Sequence, residues 1–336
     1  MNIRNFKTLL AAGCLLSAQM LFAQTAMHAG VVDGADLLIA GRVSNFNQSA
    51  FAKAMKAQQP DDMKALTQEK QAKFTAATGL EEEDLETMIA SVKISDLDLE
   101  NMGPEQADKV QAVLALQLKK AITLDQLEAG MKIMQEDAPG ASTLSRSTLG
   151  GTEVVEIKPT NDMGTGSFYA GLSPDGKTVI VTLNEGSMTS ALERVTAGRG
   201  GAPNPAMGPA MQALANQQLQ LALVFPENVK QGMRAAMQGG GNMGPMGAFM
   251  NTQSLLVGAS ADEKLDLKVM LDVGDAEAAQ MLGQSAPMMM MMVPGAAQMG
   301  EKLKFGAEGN VFQLNVSLSP EDMQPNFNGM DGMQGF

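Results

Sequence analysis

Apolar residues along the chain recur in some segments at every second position and in others at the 3.6-residue spacing of a helix, which predicts interleaved strands and helices. The predicted strands are 36–43, 88–94, 110–118, 152–157, 167–171, 177–183, 219–225, 254–260, 265–273, 302–305 and 311–318. The predicted helices run through 51–55, 61–77, 124–134, 188–195, 207–216, 226–237, 275–282 and 287–300. Strands and helices mixed in this way indicate an α+β protein.

Several predicted elements have recognisable end signals. Asn45 and Asn47 are candidate N-caps for the first helix, and Gly79 is suited to end the second. Thr123 and Gln126 have the spacing of a capping box, and the helix behind them places Leu124, Leu127, Met131 and Met134 on one face. Pro174-Asp175-Gly176 predicts a tight hairpin turn.

The predicted elements fall into two related halves. Each half has the order β-α-β-β-α-β, with antiparallel or mixed sheets covered by helices. The expected divisions are a signal peptide at 1–23, a first half at 30–197, a Gly/Pro-rich linker at 198–209, a second half at 210–319 and a disordered tail at 320–336. The pattern leaves open whether the halves pack as one domain.

A short segment in the first half carries a family resemblance. Ala77-Thr78-Gly79-Leu80 leads through Glu81 and Asp84 into LETMIASV. With the order of elements, this segment resembles secreted bacterial α+β proteins of unassigned function. The resemblance implies a fold and names no catalytic residue.

The N-terminus has the pattern of a secretory signal peptide. Arg4 and Lys7 precede an uncharged apolar stretch, and the expected cleavage follows Ala23. Ala18, Ala26 and Ala29 are competing cleavage positions. A lipoprotein alternative would lipidate Cys14, after a shorter apolar stretch. Either alternative predicts a periplasmic or secreted protein.

Composition narrows the partners and the chemistry. The chain has a formal charge of −13 and loses the cations Arg4 and Lys7 with the signal peptide, so nucleic acid is not an expected partner. The longest later apolar run, 286–297, is shorter than the roughly 20 residues that span a bilayer. Cleavage removes the only cysteine, which leaves no thiol for a disulfide, a nucleophile or a metal.

Enzyme motifs are missing from the sequence. The single histidine, His28, is expected near the mature N-terminus and leaves the core without a histidine base or ligand. The S-x-x-K, G-x-S-x-G, H-E-x-x-H and Walker spacings do not occur. The alternating acids at 96–100 resemble the start of a calcium loop, but Asn101 replaces its glycine and Ala107 its glutamate. We therefore expect no catalytic residue and no cofactor.

Methionine is unusually frequent, with 29 residues against 12 phenylalanines. Most fit as flexible core fillers on helices, and a run of five spans 288–292. Met243, Met246, Met330 and Met333 form two M-x-x-M pairs in Gly-rich surroundings and are candidate Cu(I) ligands. Exposed thioethers could also consume oxidants.

These observations favour an exported, non-catalytic binding, scaffold or envelope-associated protein with an unknown protein or small-molecule partner. The alternatives are a methionine-based Cu(I)-binding or oxidant-scavenging protein and, third, a hydrolase. The binding hypothesis predicts an exposed apolar patch or an open sheet edge, and the hydrolase hypothesis predicts a concave pocket with convergent polar residues.

Overall fold

A single large sheet forms the centre of the protein. The computed structural model describes residues 30–97, 109–136, 142–160, 167–237, 251–291, 300 and 302–323. Twelve strands in these ranges form one antiparallel sheet in the order β11-β12-β10-β9-β8-β1-β2-β3-β7-β6-β5-β4. The fold is α+β, as the sequence predicts, and β4 and β11 are the outermost strands among the described residues.

The strands are β1 Leu37–Gly41, β2 Leu85–Lys93, β3 Gln111–Leu118, β4 Ser142–Leu149, β5 Thr152–Pro159, β6 Phe168–Leu172, β7 Thr178–Thr182, β8 Leu219–Val224, β9 Ser254–Ala261, β10 Leu265–Asp272, β11 Leu303–Glu308 and β12 Val311–Leu318. The helices are α1 Val43–Gln48, α2 Ala50–Gln58, α3 Asp61–Thr78, α4 Leu124–Gln135, α5 Glu185–Thr196, α6 Gly208–Ala213, α7 Glu227–Met237 and α8 Ala276–Met291. Among the described residues, none of the helices combines the length and the apolarity needed to cross a bilayer.

Two halves with related topology meet at the middle of the sheet. β1 pairs with β8, with Ile39 opposite Leu221. Each half then adds two neighbouring strands, β2 and β3 in the first and β9 and β10 in the second. The first half ends in the meander β4 to β7 and the second in the hairpin β11 to β12. Each half begins with the predicted β-α-β-β-α-β order, and the strands of both halves form one sheet.

Helices cover both faces of the sheet. Val154 and Val155 are neighbours on β5, so their side chains point to opposite faces. Val154 packs with Met188 of α5, whereas Val155 packs with Leu127 and Met131 of α4. A third cluster lies under the chain between the halves, and a fourth lies under α8.

The predicted end signals are partly confirmed. The hydroxyl of Thr123 accepts a hydrogen bond from the Gln126 N–H, and the Gln126 side chain accepts one from the Thr123 N–H, which completes the capping box. Gly79 ends α3 in the left-handed conformation, with φ of 72°. The predicted N-caps Asn45 and Asn47 are wrong, because both lie inside α1 and Ser49 caps α2 by accepting from the Ala52 N–H.

Other corrections concern methionine and proline. Met134, predicted on the apolar face of α4, is 62% exposed in the last turn of the helix. The prediction of a separate Met-rich helix beginning at Pro287 is also wrong. α8 runs continuously through Pro287, whose missing N–H removes only one helical hydrogen bond. Asp275 caps this helix by accepting a hydrogen bond from the Ala278 N–H.

The segment predicted as a linker lies packed against the chain that precedes β1. Gly201 is buried, and a Cβ there would lie 2.1 Å from the Val31 carbonyl oxygen. The Gly34 N–H donates to the Ala202 carbonyl, and the Asn204 N–H donates to the Ala35 carbonyl. At the other end of the chain, the described part of the predicted tail forms a 3₁₀ turn at Pro320–Met323.

Candidate functional site

Most of the candidate ligands that the sequence indicates are outside the ranges that the structure describes. His28, Cys14 and all four candidate Cu(I) ligands, Met243, Met246, Met330 and Met333, lie outside the described residues. Within the described ranges, no group of three or more His, Cys, Asp or Glu side chains could hold a metal ion. The Cu(I) hypothesis therefore remains a prediction.

One of the alternating acids after β2 forms an ion pair that the structure describes. Asp96 forms an ion pair with Lys93, at 2.7 Å between Oδ2 and Nζ. Residues 98–108 lie outside the described ranges. The acidic segment before β2 forms a 3₁₀ turn at Glu82–Asp84, where Asp84 accepts a hydrogen bond from the Glu81 N–H.

A polar cleft opens at the end of the central strands. Its volume is about 570 Å³, and one side is open to solvent. Helix α5 forms one wall, the chain before β1 forms the other, and Gln111 and Val113 of β3 form the floor. Asp96, which follows β2, and Lys109, which precedes β3, lie at its rim. Three chain segments distant in sequence therefore build this cleft.

The α5 wall follows from the amphipathic pattern of that helix. Met188, Ala191 and Leu192 are buried against the sheet. Gly186, Ser187, Ser190 and Arg194 lie at helical spacing on another side and line the cleft.

Asn184 fixes the start of this helix. Its side-chain oxygen accepts a hydrogen bond from the Ser187 N–H at 2.9 Å. Its amide nitrogen donates to the Val110 carbonyl at 2.7 Å, just before β3. The N-cap thereby anchors the helical wall of the cleft to the floor.

Buried hydrogen bonds hold the opposite wall. The Ser91 hydroxyl on β2 donates to the Gly30 carbonyl at 2.6 Å and accepts from the Val32 N–H at 2.9 Å. Asp33 follows, and its Oδ1 accepts from the Ala202 N–H at 2.8 Å. Val32 and Asp33 are thus positioned both by the sheet and by the chain between the two halves.

Arg194 is the most deeply buried charge of the cleft. Only 9% of the residue is exposed. Burial lowers the pKa of its guanidinium, the nearby Asp33 carboxylate opposes that effect, and the positive charge of Arg199 adds to it. The group stays protonated, because a guanidinium has the highest pKa of the ionisable side chains and is not deprotonated in proteins. Arg194 therefore presents a permanent, partly dehydrated cation to the cleft.

Lys109 is the second cation of the cleft. It is exposed, and in the part of the chain that the structure describes its ammonium has no hydrogen-bond or ion-pair partner. Asp96, by contrast, already has Lys93 as a partner, and one oxygen of Asp33 is bound to a backbone N–H. Lys109 is thus a charge of the cleft that a ligand can reach.

The cleft also contains hydroxyl groups that could serve in binding or in catalysis. Ser187 and Ser190 both line it. Among the described residues, however, no hydrogen bond joins either hydroxyl to Lys109. A concave site with convergent polar residues is also what the hydrolase hypothesis predicts, and that hypothesis stays a prediction.

The sequence contained no usable signal for this site. Arg194 occupies the polar side of an amphipathic helix, where a cation is ordinary. Asp33 precedes the first predicted strand, and Lys109 precedes a strand nearly 80 residues later. Only the strand order brings these residues together.

Comparisons with known proteins give little further guidance. No protein-family model matches the chain, and no curated protein matches it. A crystal structure of TP0453, in its crystal form I, is similar over 88% of this chain and 93% of that chain. The two share 10% sequence identity, with a TM-score of 0.41.

Proposed function

We propose that this chain is an exported, non-catalytic binding protein that holds a small molecule in the polar cleft beside α5. The observation that carries the proposal is the convergence of Arg194, Lys109, Ser187 and Ser190 on one concave site. Its volume lies within the roughly 300–1,000 Å³ of small-molecule sites. In the part of the chain that the structure describes, no strand pairs with the outer sides of β4 and β11, which agrees with a binding role but indicates no occupant.

Packing at the start of the described chain supports cleavage upstream of Ala29. Gly30 is buried, and a Cβ there would lie 2.7 Å from the Ala115 side chain. Cleavage after Ala29 would place a charged α-amino group at this buried position, at a large desolvation cost. The expected cleavage after Ala23 leaves that packing intact.

Non-denaturing mass spectrometry of the protein purified from the periplasm tests the proposal. We expect a fraction of the molecules to carry a bound small molecule. A Ser190→Trp variant, which fills the cleft from an exposed position, should lose the added mass. A matched Ser145→Trp variant, at an exposed position of the edge strand β4 that does not line the cleft, should keep it. Retention of the added mass by the Ser190→Trp variant would contradict the proposal.

An oxidant-scavenging role is the second candidate, because α8 exposes two methionines. Met281 is 55% exposed and Met288 is 64% exposed. They lie seven residues apart and so share one side of the helix. Thioethers on such a surface are accessible to peroxide, which oxidises them to sulfoxide.

A further inference from the structure

Two cations, Lys109 and Arg194, and two acids, Asp33 and Asp96, line the cleft. Lys93, which lies outside the lining, forms an ion pair with Asp96. The Asp33 carboxylate lies near enough to Arg194 to raise the pKa of its guanidinium. Among the described residues, the ammonium of Lys109 is therefore the one charge of the lining without a hydrogen-bond or ion-pair partner.

The unpartnered cation contrasts with the acidic character of the whole chain. The chain has a formal charge of −13, with 37 acidic residues against 24 basic ones. A cation without a partner in a concave site favours a negatively charged ligand, because low-dielectric walls focus the local field.

The remaining groups of the cleft fit the same ligand chemistry. A guanidinium offers a planar fork of N–H donors, which matches the two oxygens of a carboxylate or phosphate. The hydroxyls of Ser187 and Ser190 line the same helical wall and can donate to further oxygens. The volume of about 570 Å³ suits a small molecule.

We infer that the cleft binds a small molecule bearing an oxyanion, with its carboxylate or phosphate held by Arg194 and Lys109. The inference rests on the proposed binding function and specifies the class of ligand. The serine hydroxyls bind the polar remainder of the molecule.

Titration calorimetry with defined probes at constant ionic strength tests the inference. The probes are succinate for a carboxylate, inorganic phosphate, glycerol as a neutral molecule and putrescine as a cation. We expect succinate or phosphate to bind the wild-type protein, and glycerol and putrescine not to bind. The relative affinities of succinate and phosphate identify which oxyanion the cleft prefers.

Substitutions of the two cations test where the oxyanion binds. Lys109→Gln should weaken oxyanion binding about tenfold or more, since a hydrogen bond to a charged group is lost. Lys304→Gln is the matched control, because Lys304 is likewise exposed and lies on the edge strand β11. Arg194→Lys should also weaken oxyanion binding. If this substitution at a buried position disturbs folding, the Lys109→Gln variant alone tests the inference.

Three results would overturn the inference: no oxyanion binding, equal binding by the Lys109→Gln variant, or binding of glycerol or putrescine alone. The last result would leave the proposed binding function standing with a different ligand class. Absence of binding by every probe would overturn the oxyanion inference, and the mass-spectrometric comparison of the Ser190→Trp and Ser145→Trp variants would then decide the proposed function separately.

Discussion

Asp36 and Asn204 are joined by a partly buried hydrogen bond, in which the Asn204 amide nitrogen donates to Asp36 Oδ1 at 3.1 Å. The other oxygen of Asp36 accepts from the N–H groups of Ile94 and Ser95, at 2.9 and 2.7 Å. Asp36 is 1% exposed. One carboxylate therefore ties the start of β1 to the end of β2 and to the chain between the two halves.

Replacing this carboxylate should destabilise the protein markedly. Asp36→Ala leaves two backbone N–H groups without their acceptor, and we expect a loss of about 3 kcal/mol in the free energy of unfolding. Asn204→Ala removes one hydrogen bond and should cost about 1 kcal/mol. Urea denaturation measures both. Equal losses for the two variants would show that Asp36 does not have this central role.

The close approach at Gly201 gives a second prediction. A Cβ at this position would lie 2.1 Å from the Val31 carbonyl oxygen, so Gly201→Ala must displace backbone. We expect destabilisation of about 2 kcal/mol, in the range found for overpacked sites. Gly208→Ala is the matched control, because no atom lies within 4 Å of its Cβ position, and it should stay within about 0.5 kcal/mol of wild type. Thermal unfolding of both variants makes the comparison.

Asp84 should contribute to the acid sensitivity of the protein. Its carboxylate accepts hydrogen bonds from the Glu81 N–H and from Lys120, both at 2.9 Å, and these contacts lower its pKa. A carboxyl whose pKa is lowered by folding stabilises the native state above its unfolded pKa of about 3.9. That stabilisation is lost as the pH falls through the lowered native pKa.

The Asp84→Asn variant isolates this effect. The difference in unfolding free energy between wild type and Asp84→Asn should be largest near neutral pH and should narrow on acidification below about pH 4. Urea denaturation over a pH series measures the difference. A difference that does not change with pH would refute the role of the Asp84 charge.

Methionine oxidation should follow burial. Met281 and Met288 are more than half exposed, whereas Met188 and Met207 are at most 1% exposed. Peptide mass spectrometry after mild peroxide treatment should find sulfoxide at the first pair well before the second. Similar rates at all four positions would mean that the described packing does not shield the buried pair.

Local sequence signals predicted much of the fold. The turn at Pro174-Asp175-Gly176 joins β6 to β7, and the capping box begins α4, because both depend on neighbouring residues. Strand β4 was missed, since STLSRSTL contains two apolar residues among eight. Its alternation is too weak to recognise without the pairing that β5 provides.

The candidate site required the tertiary structure. Asp33 and Ala202 are 169 residues apart and meet through a hydrogen bond that no local pattern encodes. Arg194 is buried because the chain before β1 lies across the same face of the sheet as α5. The hydrophobic periodicity of α5 identified its apolar side. Which segment of the chain faces its polar side depends on the strand order of the sheet.

Protection of a thiol placed in the cleft beside α5 is the most direct test of the proposal that a ligand binds there. A Ser190→Cys variant is treated with an alkylating reagent, with and without the small-molecule fraction of the periplasm, and modification is followed at that peptide by mass spectrometry. A Ser145→Cys variant on β4 serves as the control. We expect the extract to slow alkylation of the thiol in the Ser190→Cys variant and to leave alkylation of the Ser145→Cys variant unchanged. Unchanged alkylation at Ser190→Cys, or equal slowing at both positions, would contradict the proposal.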